Sequence, residues 1–558
     1  MLPYINKPFE ALAGLVGASP DELKLIFSFL LSYPLAGILK RVPDARPAYK
    51  NIYSISVCIF YLVGLFDLWD GLWHILLSAA VTYALAYFLR GSPYMPWMGF
   101  VFLMGHTAVN QLRRQFANNP ADVDITGAQM VMVMKLSAFC WNVADGTLPE
   151  DQLSDFQKDR KIVQLPSLLD YAGFVLFFPS FMAGPPFDYN EYKRWVDCTM
   201  FDVPSNKRKI PRSATPAMWK AAGGLLWIGA FVKFSSWFDW KFMLADGFMS
   251  YSILHRIFYL HMVGVTARLK YYGVWTLTEG ACILAGLGYK GIDPTTGRVS
   301  WDRLQNINPW GVESAQNSRA YLENWNMGTN KWLRYYIYLR VTPRNKKPGF
   351  RASLATFTTS AFWHGFYPGY YLTFVLASFV QTAAKNARRY LRPFFLDPVS
   401  QSPLPSKRYY DIASYLATQL IFCFVTAPFV ILRFDDSIKV WSRVYFYAAF
   451  ITFSSFGFFH SPGKQWLRAK LERRTRDAGV KMARSVSSDS LSSITAGGRE
   501  RRPPLVGPGL SEDMTKETNE AFEEIRAEIK RRQSQSSGSG SGKKTSLPAL
   551  AEKAKKNL

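Results

Sequence analysis

One histidine stands in the middle of the longest stretch of the chain that carries no charged residue. His364 lies between Arg351 and Lys385, and no Lys, Arg, Asp or Glu occurs at residues 352–384. Such a stretch can cross a hydrocarbon core of about 30 Å and turn back, and an ionisable group inside a membrane is costly and usually functional. Burial disfavours the imidazolium, so we expect a neutral ring, as a general base requires. The alternative is a histidine that only packs in the core.

The residues after His364 predict a break in the helix. Gly365 and Gly369 remove side chains, and Pro368 interrupts the helical hydrogen bonds. Within a membrane such a break is tolerated only where protein or a water-filled cavity covers the freed backbone groups. The pattern therefore predicts a polar chamber around His364.

A second polar segment, residues 323–334, precedes the histidine in the chain. Asn326 in this segment can donate and accept hydrogen bonds without bringing a charge into lipid. We expect the segment to begin as a loop and to end as an amphipathic helix that runs to Arg340. The alternative is a turn and helix cap formed by four polar side chains: Asn324, Asn326, Thr329 and Asn330.

Three blocks of sequence carry a family resemblance. The first is Pro-Ser-Phe-Met-Ala-Gly-Pro-Pro-Phe-Asp-Tyr at residues 179–189, with Tyr192 after it. The second is Trp-Asn-x-x-Thr-x-x-Trp-Leu at residues 325–333, and the third is Ser-x-x-Trp-His-Gly at residues 360–365. In this order the blocks resemble those of the membrane-bound O-acyltransferase family. The first block is similar to one in its lysophospholipid acyltransferase branch, which includes fungal enzymes of broad specificity.

The resemblance implies an active site that contains His364 and Asn326. It further implies that other motif residues bind substrate: Pro185, Asp188, Tyr189, Trp325, Thr329, Trp332, Arg334, Ser360 and Trp363. The implied fold is an all-α polytopic membrane protein, a bundle of about 11 transmembrane helices with a cavity across the bilayer. Two positions depart modestly from the family pattern. Gly328 stands where a polar residue is frequent, and Phe362 stands where aromatic or small residues vary.

The implied activity is transfer of a fatty acyl group from acyl-CoA to the free hydroxyl of a lysophospholipid, with lysophosphatidate among the acceptors. His364 would remove the hydroxyl proton as the bond to the thioester carbon forms. Asn326 would donate to the carbonyl oxygen or hold the hydroxyl in line, and both roles stay open. Acyl-CoA is a co-substrate, no bound cofactor is implied, and no acyl-enzyme is needed, because the motifs place neither Cys nor Ser beside a base.

A dense basic stretch follows the second block. It consists of Arg334, Arg340, Arg344, Lys346, Lys347 and Arg351. Guanidinium and ammonium groups suit the phosphates of a coenzyme A donor that arrives from the cytosol. A solvated cytosolic loop explains the same density equally well.

Other functions fit parts of the sequence. A sterol, diacylglycerol or protein serine could replace the acceptor, although the block at residues 179–192 favours a lysophospholipid. A transporter or scaffold in which His364 relays protons is a further alternative, against which no inverted repeat with paired broken helices is visible. The head group, the acyl-chain preference and the oligomeric state are not determined by the sequence.

Apolar runs between charged residues predict membrane spans along most of the chain. They lie near residues 24–40, 51–67, 71–89, 93–111, 166–182, 218–234, 248–266, 271–288, 352–366, 367–385, 410–432 and 440–460, about eleven in all, give or take two. Residues 125–143 place Met and Leu at helical spacing beside Lys135, which favours an interfacial or bundle-internal helix.

Charge and cysteine content exclude several classes of protein. The formal net charge is +25, but no nucleic-acid-binding signature accompanies it, and basic residues beside spans follow the cytoplasmic excess that sets membrane topology. They also attract anionic lipids of the bilayer. The 5 cysteines are scattered, which indicates neither a disulfide framework nor a CxxC metal site. The histidines lack the carboxylate or cysteine partners of a metal site.

The composition changes after residue 460. Ser, Gly, Lys, Arg and Pro predict a largely disordered cytosolic tail over residues 463–558, after a multi-span domain of residues 1–462. A short helix is predicted over residues 515–532. Lys555 and Lys556 stand fourth and third from the carboxyl end, a pattern that returns membrane proteins to the endoplasmic reticulum. The alternative is a coincidence within a basic tail.

Overall fold

The computed structural model describes residues 3–16, 19–117, 123–201, 210–342, 349–398 and 400–489, and these are mainly helical. The helices of the first part of the chain are α1 (Pro3–Val16), α2 (Pro20–Leu39), α3 (Pro47–Ile59), α4 (Trp69–Phe88), α5 (Met95–Gln115), α6 (Thr126–Asp145), α7 (Asp155–Arg160), α8 (Leu168–Val175), α9 (Phe178–Phe181), α10 (Tyr189–Val196) and α11 (Ala214–Trp237). A π-helical segment, Phe60–Leu65, follows α3, and 3-10 turns lie at Glu150–Gln152, Trp240–Leu244 and Asp246–Ser250.

The later helices are α12 (Ile253–Ala285), α13 (Pro309–Glu313), α14 (Ser318–Asn324), α15 (Met327–Trp332), α16 (Phe350–His364), α17 (Pro368–Tyr390), α18 (Lys407–Ile431), α19 (Phe434–Arg443), α20 (Tyr447–His460) and α21 (Pro462–Asp489). A second π-helical segment, Leu333–Tyr338, follows α15, and a 3-10 turn lies at Arg392–Phe395. Two strands, β1 (Gly291–Ile292) and β2 (Val299–Ser300), pair antiparallel, with Gly291 opposite Ser300.

Five helical segments of the described chain are long and apolar enough to cross a membrane. They are Pro20–Leu39, Pro47–Leu65, Trp69–Phe88, Ala214–Leu244 and Lys407–Ile431. They confirm a helical protein with several apolar helices, whereas the predicted count of about eleven spans is not confirmed.

The prediction of a single span over residues 166–182 is wrong, because the chain breaks there between α8 and α9. Two side chains pair with the carbonyl groups at the break. Lys135 Nζ donates to the Phe174 carbonyl at 2.6 Å, and Ser54 Oγ donates to the Leu176 carbonyl at 3.2 Å. An unpaired carbonyl is costly in apolar surroundings, so these long-range hydrogen bonds stabilise a break that the apolar run concealed.

The two spans predicted at residues 248–266 and 271–288 are instead one continuous helix, α12. Residues 267–270, which separate the two predicted spans, include the charged Arg268. In the structure this side chain is buried, and its guanidinium donates to both carboxylate oxygens of Glu313, at 2.8 and 2.7 Å. A buried charge that is paired in this way need not interrupt a helix. Gly286, with φ of 101°, ends α12.

The prediction of one continuous span over residues 440–460 is also wrong, because this range contains the end of one helix and the start of the next. Tyr445 and Phe446, with φ of 55° and 49°, separate α19 from α20, since left-handed backbone cannot continue a right-handed helix. For residues 125–143 the bundle-internal alternative is found: nearly every side chain of α6, including that of Lys135, is buried.

The chain divides into two compact units. The first comprises residues 1–384 and 411–456, and its described residues form two apolar cores, one built mainly around α6 and the other around α12 and α18. The described part of the second covers residues 385–398, 400–410 and 457–489, where Tyr390 and Phe459 pack with Leu467 and Leu471 of α21.

Helix α21 occupies the first part of the predicted tail, where the sequence analysis placed no element. The predicted helix over residues 515–532 lies outside the described residues, as do Lys555 and Lys556. The predicted domain boundary at residues 462 and 463 stays a prediction.

Candidate active site

Helix α6 hydrogen-bonds to both downstream motif segments. Trp363 Nε1 donates to the Met130 carbonyl at 3.0 Å, and Trp332 Nε1 donates to Ser137 Oγ at 2.9 Å. Between these two, Thr329 Oγ1 contacts Met134 Sδ at 3.2 Å. Residues 130, 134 and 137 share one face of a helix. This face therefore brings the predicted residues Thr329, Trp332 and Trp363 together, and the two indole rings are in contact, with centroids 5.9 Å apart.

The last turn of α6 holds two residues that follow the second segment. Tyr336 OH lies 3.0 Å from Asn142 Oδ1, and Arg340 donates to both carboxylate oxygens of Asp145 at 2.9 and 2.5 Å. Arg340 is thus paired within the protein, which favours a structural role for this member of the basic stretch. Arg334 is exposed and lies over the Tyr335 ring. Residues 344, 346 and 347 of that stretch lie outside the described residues.

Asn326 differs from the other two asparagines of its segment, because its side chain has no hydrogen-bond partner among the described residues. The side chains of its neighbours are occupied. Asn324 Nδ2 donates to the Ala320 carbonyl at 2.8 Å, and Asn330 Nδ2 donates to the Leu322 carbonyl at 3.0 Å. Asn324 and Asn330 thus bond to carbonyls of α14, whereas the side-chain cap of the alternative interpretation is not found, because Asn326 begins α15 without a cap hydrogen bond.

The backbone of Asn326 is strained. Its φ of 42° and ψ of 57° are left-handed, a conformation that costs a non-glycine residue about 1–2 kcal/mol. Asn306 holds the adjacent backbone, since its carbonyl accepts from Met327 N at 2.8 Å and its Oδ1 accepts from Gly328 N at 2.9 Å. Strain that the surrounding structure maintains in this way is typical of functional sites.

Gly328 brings the first block to the second. A Cβ atom at this position would lie 2.6 Å from Cδ of Pro186, so only glycine fits. This close approach is a physical reason for the departure from the family pattern at Gly328. On the other side of the segment, Trp325 packs against Tyr271 and Trp275 of α12, with ring centroids 5.7 and 5.2 Å apart.

Glu313 anchors α13, which precedes the segment that carries Asn326. Besides Arg268, Tyr272 OH donates to this carboxylate at 2.7 Å, and Gln419 Nε2 donates to the Val312 carbonyl at 2.8 Å. Burial opposes ionisation of Glu313, but the hydrogen bonds and charge of Arg268 hold its pKa below the ordinary value. The carboxylate therefore remains ionised at neutral pH and fixes residues 309–313 to α12.

His364 is the last residue of α16, and aromatic rings surround it. The imidazole stacks on Phe374 at 5.1 Å with an interplanar angle of 18°, and Phe429 and Tyr370 lie 4.9 and 5.6 Å away. The imidazole therefore has mainly aromatic neighbours, and the prediction of a polar chamber is not confirmed. Ser360, one turn earlier in α16, is buried.

The side chain of His364 is half-buried. Neither ring nitrogen has a hydrogen-bond partner among the described residues.

The first block has protein partners. Asp188 accepts from Arg160 Nε at 2.6 Å and from Tyr336 OH at 3.0 Å. Burial and the neighbouring Glu191 carboxylate raise the pKa of Asp188, although Arg160 opposes the shift. Tyr189 is buried in the apolar core around α6, and Pro185 is buried too. Substrate binding by Pro185, Asp188 and Tyr189 stays a prediction.

Several residues at this site were not singled out from the sequence. They are Gln111, Met130, Ser137, Asn142, Asn306, Phe374 and Phe429. A local signal was the pair of amide side chains, Asn110 and Gln111, between the apolar part of α5 and its basic end. Within the described part of the chain no group of three or more His, Cys, Asp or Glu side chains could hold a metal ion.

Comparison with known proteins gives a consistent picture. The family model of the membrane-bound O-acyltransferases matches residues 117–426, which include all three blocks. A lysophospholipid acyltransferase of Schizosaccharomyces pombe is 45% identical over 479 residues, which cover 85% of this chain and 92% of that protein. One of Saccharomyces cerevisiae is 41% identical, covering 86% and 81%. Lysophospholipid acyltransferase 6 of Drosophila melanogaster is 30% identical, covering 91% and 70%.

Proposed function

The chain belongs to the membrane-bound O-acyltransferase family, and we propose that it transfers a fatty acyl group from acyl-CoA to the free hydroxyl of a lysophospholipid. Two relatives named lysophospholipid acyltransferase, 45% and 41% identical over most of the chain, support the acceptor class. The observation that carries the catalytic assignment is that the side chains of His364 and Asn326 have no hydrogen-bond partner among the described residues. Those of Asn324, Asn330 and Trp363 are hydrogen-bonded within the protein.

His364 acts as the general base in this proposal. One ring nitrogen accepts the proton of the acceptor hydroxyl while the oxygen forms a bond to the thioester carbon, an effect worth about 10²–10⁴-fold. The C–S bond then breaks, and the CoA thiolate leaves readily because a thiol is far more acidic than an alcohol. The imidazolium returns its proton to the thiolate or to solvent. Transfer is direct, without an acyl-enzyme.

Asn326 supports the reaction through its amide. Its Nδ2 group donates to the carbonyl oxygen as negative charge develops, or its Oδ1 accepts from the attacking hydroxyl and holds it in line. Both roles require an amide without a protein partner. The left-handed backbone held by Asn306 keeps that amide away from the cap position it would otherwise take.

The finer parts of the proposal concern substrate contacts and location. Acyl-CoA serves as co-substrate, no other bound cofactor is needed, and the exposed Arg334 suits its phosphates. We further propose that a cavity across the bilayer brings the donor and the acceptor together, within a bundle of about eleven spans.

The protein resides in the endoplasmic reticulum membrane with a cytosolic carboxyl end, addressed by Lys555 and Lys556. Replacing both lysines by serine should release the protein from that membrane, and unchanged localisation would contradict the address.

The activity is tested with the purified full-length protein in detergent micelles or nanodiscs. Radiolabelled acyl-CoA is supplied with lysophosphatidate, with lysophospholipids of several head groups, and with a sterol and diacylglycerol. We expect a phospholipid product from at least one lysophospholipid. Transfer to the sterol or diacylglycerol alone, or no transfer at all, would contradict the proposal.

Two variants with matched controls test the proposed catalytic residues. His364→Ala should abolish transfer, whereas His106→Ala, which removes a half-buried histidine bonded to His74 and Ser78, should retain it. Asn326→Ala should reduce kcat strongly. Asn330→Ala is the matched control and should leave kcat largely unchanged, because it removes an amide of the same segment that bonds only to the Leu322 carbonyl. Melting temperatures close to that of the wild type show that the variants are folded. Full activity of folded His364→Ala would exclude His364 as the base.

A further inference from the structure

Helix α16 ends at His364, so the last carbonyl groups of this helix have no partner within it. Gly365 turns the chain with φ of 128°, and its N–H is shared between the carbonyls of Ala361 and Phe362. That turn leaves the carbonyl of Trp363, the residue directly before the histidine, without a backbone donor among the described residues.

Gln111 of α5 supplies the missing donor. Its Nε2 group donates to the Trp363 carbonyl at 2.6 Å, and the side chain is 7% exposed. The same side chain packs on the residue after the histidine, since a Cβ atom on Gly365 would lie 3.7 Å from Cδ of Gln111. Gln111 therefore contacts both chain neighbours of His364.

Trp363 is held at two points from two different helices. The backbone carbonyl is held by Gln111 of α5, and the indole Nε1 is held by the Met130 carbonyl of α6. With both ends of the residue fixed, the direction in which the next side chain leaves the helix is fixed as well. The stacked ring of Phe374 then limits rotation of the imidazole.

We propose that Gln111 is a positioning residue for His364: by holding the Trp363 carbonyl at the end of α16, it keeps the imidazole aimed at the hydroxyl that it deprotonates. This inference rests on the proposed role of His364 as general base. No carboxylate contacts the imidazole among the described residues, so the orientation that an acid supplies in many catalytic triads comes here from the helix end.

The test uses the full-length protein and the preferred acceptor of the wild type. Gln111→Met keeps the length of the side chain and removes the donor. Asn110→Leu is the matched control, because Asn110 is the adjacent buried amide of α5 and its hydrogen bond goes to Gln129 Oε1 of α6, at 2.9 Å, rather than to α16. Both variants lose one buried amide hydrogen bond between helices. Melting temperature, kcat and the KM for both substrates are measured for each.

We expect Gln111→Met to lower kcat at least tenfold with each KM within twofold of the wild type, because a misplaced base slows the chemical step without weakening binding. Asn110→Leu should retain kcat within threefold at a similar melting temperature. Gln111→Glu, which keeps the shape but presents an oxygen to the carbonyl when ionised, should lose at least as much kcat as Gln111→Met.

Three outcomes would overturn the inference: wild-type kcat in Gln111→Met, an equal loss of kcat in Asn110→Leu, or a loss confined to KM. If Gln111→Met does not fold, Gln111→Leu and Gln111→Glu carry the same comparison. The two proposals fail separately. Absence of transfer by the wild type contradicts the function, whereas transfer that requires His364 but not Gln111 contradicts only this inference.

Discussion

The indole rings of Trp332 and Trp363 are in contact, with centroids 5.9 Å apart, and each indole N–H is hydrogen-bonded to α6. Through this contact the segment that carries Asn326 is joined to the helix that ends at His364. Both proposed catalytic residues are therefore placed by anchors on one buried helix, and four consequences can be measured.

The first prediction concerns the anchor on Ser137. Trp332→Phe removes the indole donor, so Ser137 Oγ keeps only its own bond to the Met134 carbonyl at 3.4 Å, and stability should fall by about 1–3 kcal/mol. Ser137→Ala in the same background should recover part of the loss, because it removes the buried oxygen that has lost its donor. Thermal unfolding of the single and double variants measures the coupling. Strictly additive changes in melting temperature would show that the two groups are not bonded.

The second prediction separates the backbone of Asn326 from its amide. Asn326→Gly keeps the left-handed conformation without strain, whereas Asn326→Ala loses both the amide and this tolerance. Both variants should lose about 100-fold in kcat, corresponding to about 3 kcal/mol for one donor, while only the alanine variant should melt earlier than the wild type. Wild-type activity in folded Asn326→Gly would show that only the backbone matters.

The third prediction concerns the close approach of the first two blocks. Gly328→Ala forces a methyl group against Pro186, and should lower stability by about 1–3 kcal/mol and reduce transfer, because it displaces the backbone beside Asn326. Gly229→Ala in α11 is the matched control, since a Cβ atom there meets nothing within 4 Å. Equal melting temperatures for the two variants would contradict the predicted clash.

The fourth prediction is a pH dependence of stability. The pKa of Glu313 lies below its ordinary value of 4.5, so ionised Glu313 stabilises the folded state at all pH values above about 4.5. This contribution is lost as pH falls through the lowered pKa. The difference in melting temperature between wild type and Glu313→Gln should therefore be constant from pH 7 to about pH 5 and shrink below it. A difference that grows on acidification would contradict the Arg268 pairing.

The sequence was sufficient to single out His364 and Asn326 as candidates, because an ionisable or amide side chain is conspicuous in an apolar stretch. It could not show that Asn324 and Asn330 are bonded to nearby carbonyls while Asn326 is not. Which amide remains unpaired depends on the left-handed backbone at one residue, and this conformation is maintained by Asn306 from another part of the chain.

The same limit applies to the helices. Apolar length predicted a membrane protein, but it placed an unbroken span over residues 166–182 and a connection at Arg268. The break is stabilised by Lys135 and Ser54, and the continuity of α12 is permitted by Glu313. In each case the polar group is hydrogen-bonded to a partner distant in sequence. A local sequence pattern does not predict such a partner.

By itself the sequence determined that the chain is a helical membrane protein with three motif blocks in a recognisable order, because burial in lipid imposes long apolar runs and the chemistry requires particular side chains. Only the tertiary structure showed that Trp332 and Trp363 are both hydrogen-bonded to α6 and that Gln111 is hydrogen-bonded to the end of α16. Hydrogen bonds between helices depend on which faces meet after packing, and that choice is made by the whole bundle rather than by neighbouring residues.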